Sequence, residues 1–164
     1  MTWAHIHLAL NHVPVIGLPI VLLLLAWALV RRGPDLLKAS FGLLLLLALV
    51  TVIVQLTGEP AEELVEGLPG VLESMVERHE EAALLGTIGM VALGGLALFG
   101  LWRLRGERTL ARWYPAAVLV AGVVVAGTMG WIANLGGQIR HSEIRPGASA
   151  TLDSDGRGLE ESEH

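Results

Sequence analysis

The sequence predicts an all-α fold: a four-helix transmembrane bundle with short amphipathic helices in the outer loop between spans two and three. Three observations predict it. The chain of 164 residues is 53% hydrophobic, with a mean hydropathy of +0.61 that sets it apart from soluble domains. Its apolar residues fall into four runs, 3–30, 40–56, 82–101 and 113–135, each near the roughly 20 residues a helix needs to cross a bilayer. Short polar segments separate the runs, so neighbouring helices pack antiparallel.

The first run lacks a basic leader and a small-residue cleavage site and reads as a retained span. Pro14 cannot donate to the Leu10 carbonyl, which predicts a kink beside His12. After the second run, Pro60 suits a first helical position with Glu62 and Glu63 in the first turn. Gly67, Pro69 and Gly70 break that helix, and a second amphipathic stretch from Val71 enters the third run. The third run carries Gly89, Gly94, Gly95 and Gly100. The fourth carries Gly122, Ala126, Gly130 and Asn134, spaced by four. Both sets read as surfaces for close helix packing. Trp3, Trp102, Trp113, Tyr114 and Trp131 fall near helix ends as interfacial anchors, and Trp27 is a candidate for the same belt. Residues 1–146 form the membrane domain, and 147–164 read as a disordered polar tail.

Lysine and arginine set the orientation. Arg31, Arg32 and Lys38 in the first loop, with Arg103, Arg105, Arg108 and Arg112 in the third, make seven of the eleven basic residues. That side is read as cytoplasmic in a bacterial inner membrane, with both termini outside. All six histidines and fourteen of the sixteen carboxylates then lie on the outer side, where imidazole and carboxylate can bind metals or move protons. The absence of cysteine excludes disulfides and thiolate-bound clusters. The basic residues are short loops of the positive-inside kind, which gives nucleic acid no support as a partner.

Three segments bring chemistry to the outer end. The first holds His5, His7, Asn11 and His12. His12 lies about 13 Å along the helix from Trp3, inside hydrocarbon, where an ionisable residue is a functional candidate. His7 and Asn11 share one face and His12 another, about 140° from His7, so one straight helix does not aim both histidines at one ion. His5 reads as solvated. The second segment holds Glu59 and Glu63, four apart, then His79 and Glu80. His79 falls among Leu72, Val76, Ala82 and Ala83 and points toward the apolar side. Glu62, Glu66, Glu73, Glu77 and Glu81 read as solvated faces. The third holds Arg140, His141 and Glu143, beyond the paired Gly136 and Gly137.

The motif order His7-x3-Asn11-His12-x-Pro14-x2-Gly17, Thr57-Gly58-Glu59, His79-Glu80-x2-Ala83 and Asn134-Leu135-Gly136-Gly137-Gln138-Ile139-Arg140-His141 resembles a group of small uncharacterised bacterial four-span membrane proteins. That group is similar to a wider membrane domain of unknown function, some of whose members are joined to redox modules such as Rieske-type centres. The resemblance implies four spans and a redox or metal context.

Three functions follow as expectations. The first is a membrane metalloprotein whose ion, iron first and zinc next, is held by His12, His79 and His141 with Glu59, Glu63, Glu80 and Glu143, and with His7 as a further ligand; a dinuclear centre is compatible with so many acids. It would act in redox chemistry or electron transfer. The second is a b-type cytochrome with His12 and His79 on haem b and Arg140 at a propionate. The third is an accessory subunit of a larger membrane complex. The partners expected are the lipid bilayer, a redox partner or larger complex, and further copies of the chain.

Overall fold

The computed structural model describes residues 2–62, 68–105 and 110–145. Five α-helices run in order: α1 (Trp3–Leu10), α2 (His12–Arg31), α3 (Pro34–Glu62), α4 (Glu73–Arg103) and α5 (Trp113–Arg140), followed by a short 3-10 turn, Ser142–Ile144. Together α1 and α2 make one span of 29 residues, so the molecule has four helices long and apolar enough to cross a membrane. Among the described residues there is no strand. The α1–α2 unit packs on α3 and α5, α3 on α4, and α4 on α5, closing a ring.

The break between α1 and α2 falls at Asn11, which keeps right-handed helical dihedrals. Its cause is the missing Pro14 donor, which breaks the helix beside His12 as the sequence predicts. Arg32 ends α2 in the left-handed region (φ 52°), and the Gly33 nitrogen bonds back to the Ala28 carbonyl at 3.2 Å. Pro34 then opens α3 at once.

The outer loop differs from expectation on the α3 side, while the stretch entering α4 runs into the third span as expected. Its amphipathic segments are continuations of the spans: α3 runs on to Glu62 with Pro60 in its last turn, and α4 begins at Glu73. Continuing a packed helix keeps its hydrogen-bond ladder, whereas a new helix would have to be nucleated. Glu63 and Glu66 lie outside the described residues, as does the tail 147–164.

The core is a column of side chains from all four spans, centred on Leu18, Leu25, Phe41, Leu44, Met90, Leu93 and Val118. Glycines on α4 and α5 admit it: Gly94 lies against Ala48, Gly100 against the Phe41 ring, Gly86 against Ile132 and Gly122 against Leu22. The expected ridge on the fourth span does not run its full length. Gly122 is buried, but Gly130 and Asn134 are exposed. Four residues turn a helix by about 400°, so a spacing of four drifts roughly 40° per step and leaves the interface within a few turns. Trp3, Trp27, Trp102, Trp113 and Trp131 are exposed, as a belt requires. Tyr114 is buried instead, because its hydroxyl finds the Leu96 carbonyl at 2.6 Å.

Arg145 closes the histidine-bearing end. Its guanidinium donates to the Gln138 and Ile139 carbonyls at 2.9 and 3.0 Å and to the Gly70 carbonyl at 2.7 Å. It thus satisfies the last acceptors of α5 and ties them to the turn before α4. Arg145→Ala is expected to cost about 1–3 kcal/mol, read as an earlier detergent-unfolding midpoint. An unchanged midpoint would show that the strap does not hold the two ends together.

Candidate metal centre

Each span shows a stripe of inward positions spaced mostly by three or four. On the first it runs Pro14, Leu18, Val21, Leu25 and Ala28. Continued back toward the N-terminus, the same spacing meets Asn11 and His7. Both are half-buried, whereas His12, one residue off the stripe, is exposed. His7 therefore takes the inward place that the sequence reading gave to His12.

The His7 ring lies against α3. Its Nδ1–H donates to the Val54 carbonyl at 3.1 Å, with the Thr57 hydroxyl oxygen 3.5 Å from the same nitrogen. A carbonyl can only accept, so Nδ1 carries the proton and Nε2 of the neutral ring keeps its lone pair. Gly58 lies beside the ring: a Cβ there would stand at an ordinary 3.6 Å from His7 Cε1.

His79 sits correspondingly on α4 against α5. A Cβ on Gly136 would stand 3.0 Å from His79 Cε1 and 3.3 Å from its Nδ1. Each glycine thus lies beside an imidazole on the neighbouring helix, but only the contact at Gly136 is too close for a Cβ to fit without the ring giving way. His79 and His7 are within electrostatic range of each other. Depth agrees as well. Both stand roughly 36 Å from the arginine that ends their own span, Arg31 or Arg103, against a hydrocarbon thickness of about 30 Å. With the arginines at one boundary, the two imidazoles stand just past the other.

Two buried polar side-chain atoms among the described residues lack any hydrogen-bond partner: His79 Nδ1 and Asn11 Oδ1. Leu22 seats against Gly122, and equal rises along that antiparallel pair bring Asn11 level with Ala133, beside Ile132 and Gly136. Both orphans therefore belong to the same end of the bundle. A buried unpaired polar group costs about 1–3 kcal/mol, so two at one end of the bundle call for a water or an ion.

The other expected residues are not drawn into this point. His141 Nδ1 donates to Glu143 Oε1 at 2.8 Å, and both side chains are exposed. Glu143's own backbone amide, then the His141 ring, hold that carboxyl below the usual carboxylate range. Arg140, Glu59 and Glu80 are exposed, and Glu63 lies outside the described residues. His5 is exposed and shares a 2.6 Å hydrogen bond with Thr2 Oγ1. Among the described residues no three histidine, aspartate or glutamate side chains gather as a ready-made ligand group. The sequence does not single out the Asn11 side chain as buried, and it reads Glu62 as solvated. Glu62 is half-buried and within electrostatic range of Glu80 on α4 and Glu59 on α3. It lies four residues past Gly58, so continuing the α3 stripe would have found it.

The fold and its four apolar spans define an integral membrane four-helix bundle in contact with the lipid bilayer. No protein-family model, curated protein or solved structure matches the chain.

Proposed function

We propose that this bundle is a membrane metal-binding protein whose ion is held between α1 and α4 by His7 and His79, with the Asn11 amide oxygen as a third donor. The observation that carries the reading is the pair of buried polar atoms without partners, His79 Nδ1 and Asn11 Oδ1, at the same end as a His7 ring fixed with Nε2 free. The donor set is narrower than the sequence suggested. Imidazole ligands whose other nitrogen bonds a backbone carbonyl are the usual arrangement at metal sites, because that bond fixes the ring and raises its basicity. His7 has this second-shell bond already in place. Imidazole with oxygen donors suits iron or zinc, and bound iron would supply electron transfer. Glu62, Glu80 and Glu59 place negative charge at the same end. The arginine bias supports a periplasmic side of a bacterial inner membrane for this end, with both termini outside.

A b-type cytochrome is the competing reading. Its expected axial pair does not face together, since His12 is exposed while His79 is half-buried against α5. The test is metal analysis and an absorption spectrum of the full chain purified in detergent. About one metal ion per chain and no Soret band are expected. His7→Ala and His79→Ala should each remove most of the metal, and His12→Ala and His141→Ala should keep it. A Soret band, or full metal in the His7→Ala/His79→Ala double variant, would overturn the assignment.

A further inference from the structure

At the arginine end, opposite the histidines, a groove of about 320 Å³ opens where α4 ends and α5 begins. It is lined by Phe99, Arg103, Leu110, Ala111, Trp113 and Tyr114. Its size falls at the lower end of small-molecule sites, which span roughly 300–1,000 Å³. Aromatic rings form one wall: Phe99 meets Tyr114 tilted with ring centroids 5.7 Å apart, and Trp113 meets Tyr114 edge-to-face at 5.8 Å. The Tyr114 hydroxyl is spent on the Leu96 carbonyl. Among the described residues Arg103 is the only charged group on the lining. It is half-buried and has no carboxylate partner among the described residues. Arg105 and Arg112 flank it, both exposed.

We propose that this groove binds an anionic phospholipid, with an acyl chain along Phe99, Leu110 and Trp113 and the phosphodiester on Arg103. Charge complementarity and position select this occupant. The groove lies at a membrane boundary between two spans, where basic pockets hold anionic headgroups. A guanidinium offers phosphate two parallel donors, while the aromatic wall offers an acyl chain only apolar contact. A zwitterionic headgroup would set its own cation against three arginines.

Native mass spectrometry of the full chain, released from detergent micelles, tests this. The probes are phosphatidylglycerol and phosphatidylcholine with identical acyl chains, and glycerol 3-phosphate as the soluble headgroup. Phosphatidylglycerol should be retained about tenfold over phosphatidylcholine, a difference of about 1.4 kcal/mol. Arg103→Gln should bring the two lipids to parity. Ala111→Phe, a change at an exposed position, should fill the groove and lower retention of both. Equal retention by the unmodified chain would overturn the proposal, as would a preference that survives Arg103→Gln or unchanged retention in Ala111→Phe. Displacement of the lipid by glycerol 3-phosphate at equal concentration would assign the site to a soluble phosphate instead.

Discussion

Gly94→Ala should lower stability by about 1–3 kcal/mol, whereas Gly95→Ala, one residue further on, should leave it unchanged or raise it slightly. A Cβ at position 94 would stand 2.5 Å from the Ala48 Cβ. That atom is fixed to the α3 backbone and has no rotamer to escape into. Relief requires α3 and α4 to move apart, which loosens a seam that both helices share along most of their length. At position 95 nothing lies within 4 Å, and alanine is the better helix former by about 1 kcal/mol. Gly122→Ala should fall between the two, because the group it meets is the flexible end of Leu22. Unfolding in a mixed-micelle denaturant series, followed by helicity, reads all three. Equal midpoints for the position 94 and 95 variants would refute this packing of α3 on α4.

Gly136→Val should strip the metal as completely as His79→Ala while leaving the helical content of the bundle intact. The glycine contact is already at its limit, with 3.0 Å between an added Cβ and His79 Cε1. Valine adds two methyl groups beyond that Cβ, and the ring has to leave its seat. Gly136→Ala asks the ring to give by only a few tenths of an ångström and should lose part of the metal. Gly58→Ala should be tolerated, since its Cβ would meet His7 Cε1 at an ordinary 3.6 Å. Removing the ring should relieve the clash. Placing His79→Ala in the Gly136→Val background should restore stability, with a coupling of about 0.5–3 kcal/mol. Full metal content in Gly136→Val would mean that His79 does not reach the ion from this seat.

Much of the fold was legible because hydropathy and helix period are local properties. The four spans follow from run length alone. The orientation of His79 follows from its angle among Leu72, Val76, Ala82 and Ala83. His12 was misplaced for a definable reason. Depth marks it as unusual, but depth does not say which way a side chain faces. The stripe from Ala28 back through Leu18 and Pro14 does say so, and it selects Asn11 and His7. In a span that is apolar nearly all round, that stripe carries little hydropathy contrast. It emerges from which positions the neighbouring helices cover. The glycine motifs were visible too, but reading Gly58 and Gly136 as seats for His7 and His79 requires knowing which helices are neighbours.

By itself the sequence determined four membrane helices, the charge asymmetry between the two ends, and the gathering of histidine and acid at one of them. Those are properties of composition along a line, and a bilayer about 30 Å thick turns them directly into geometry. Only the tertiary structure decided which histidines face inward. The choice between His7 and His12 is a rotation about the helix axis, set by packing on α3 and α5. The unpaired Nδ1 of His79 and Oδ1 of Asn11 exist only once those helices have closed around them. Burial is what turns an ordinary polar atom into an unsatisfied one, and burial belongs to the assembled bundle.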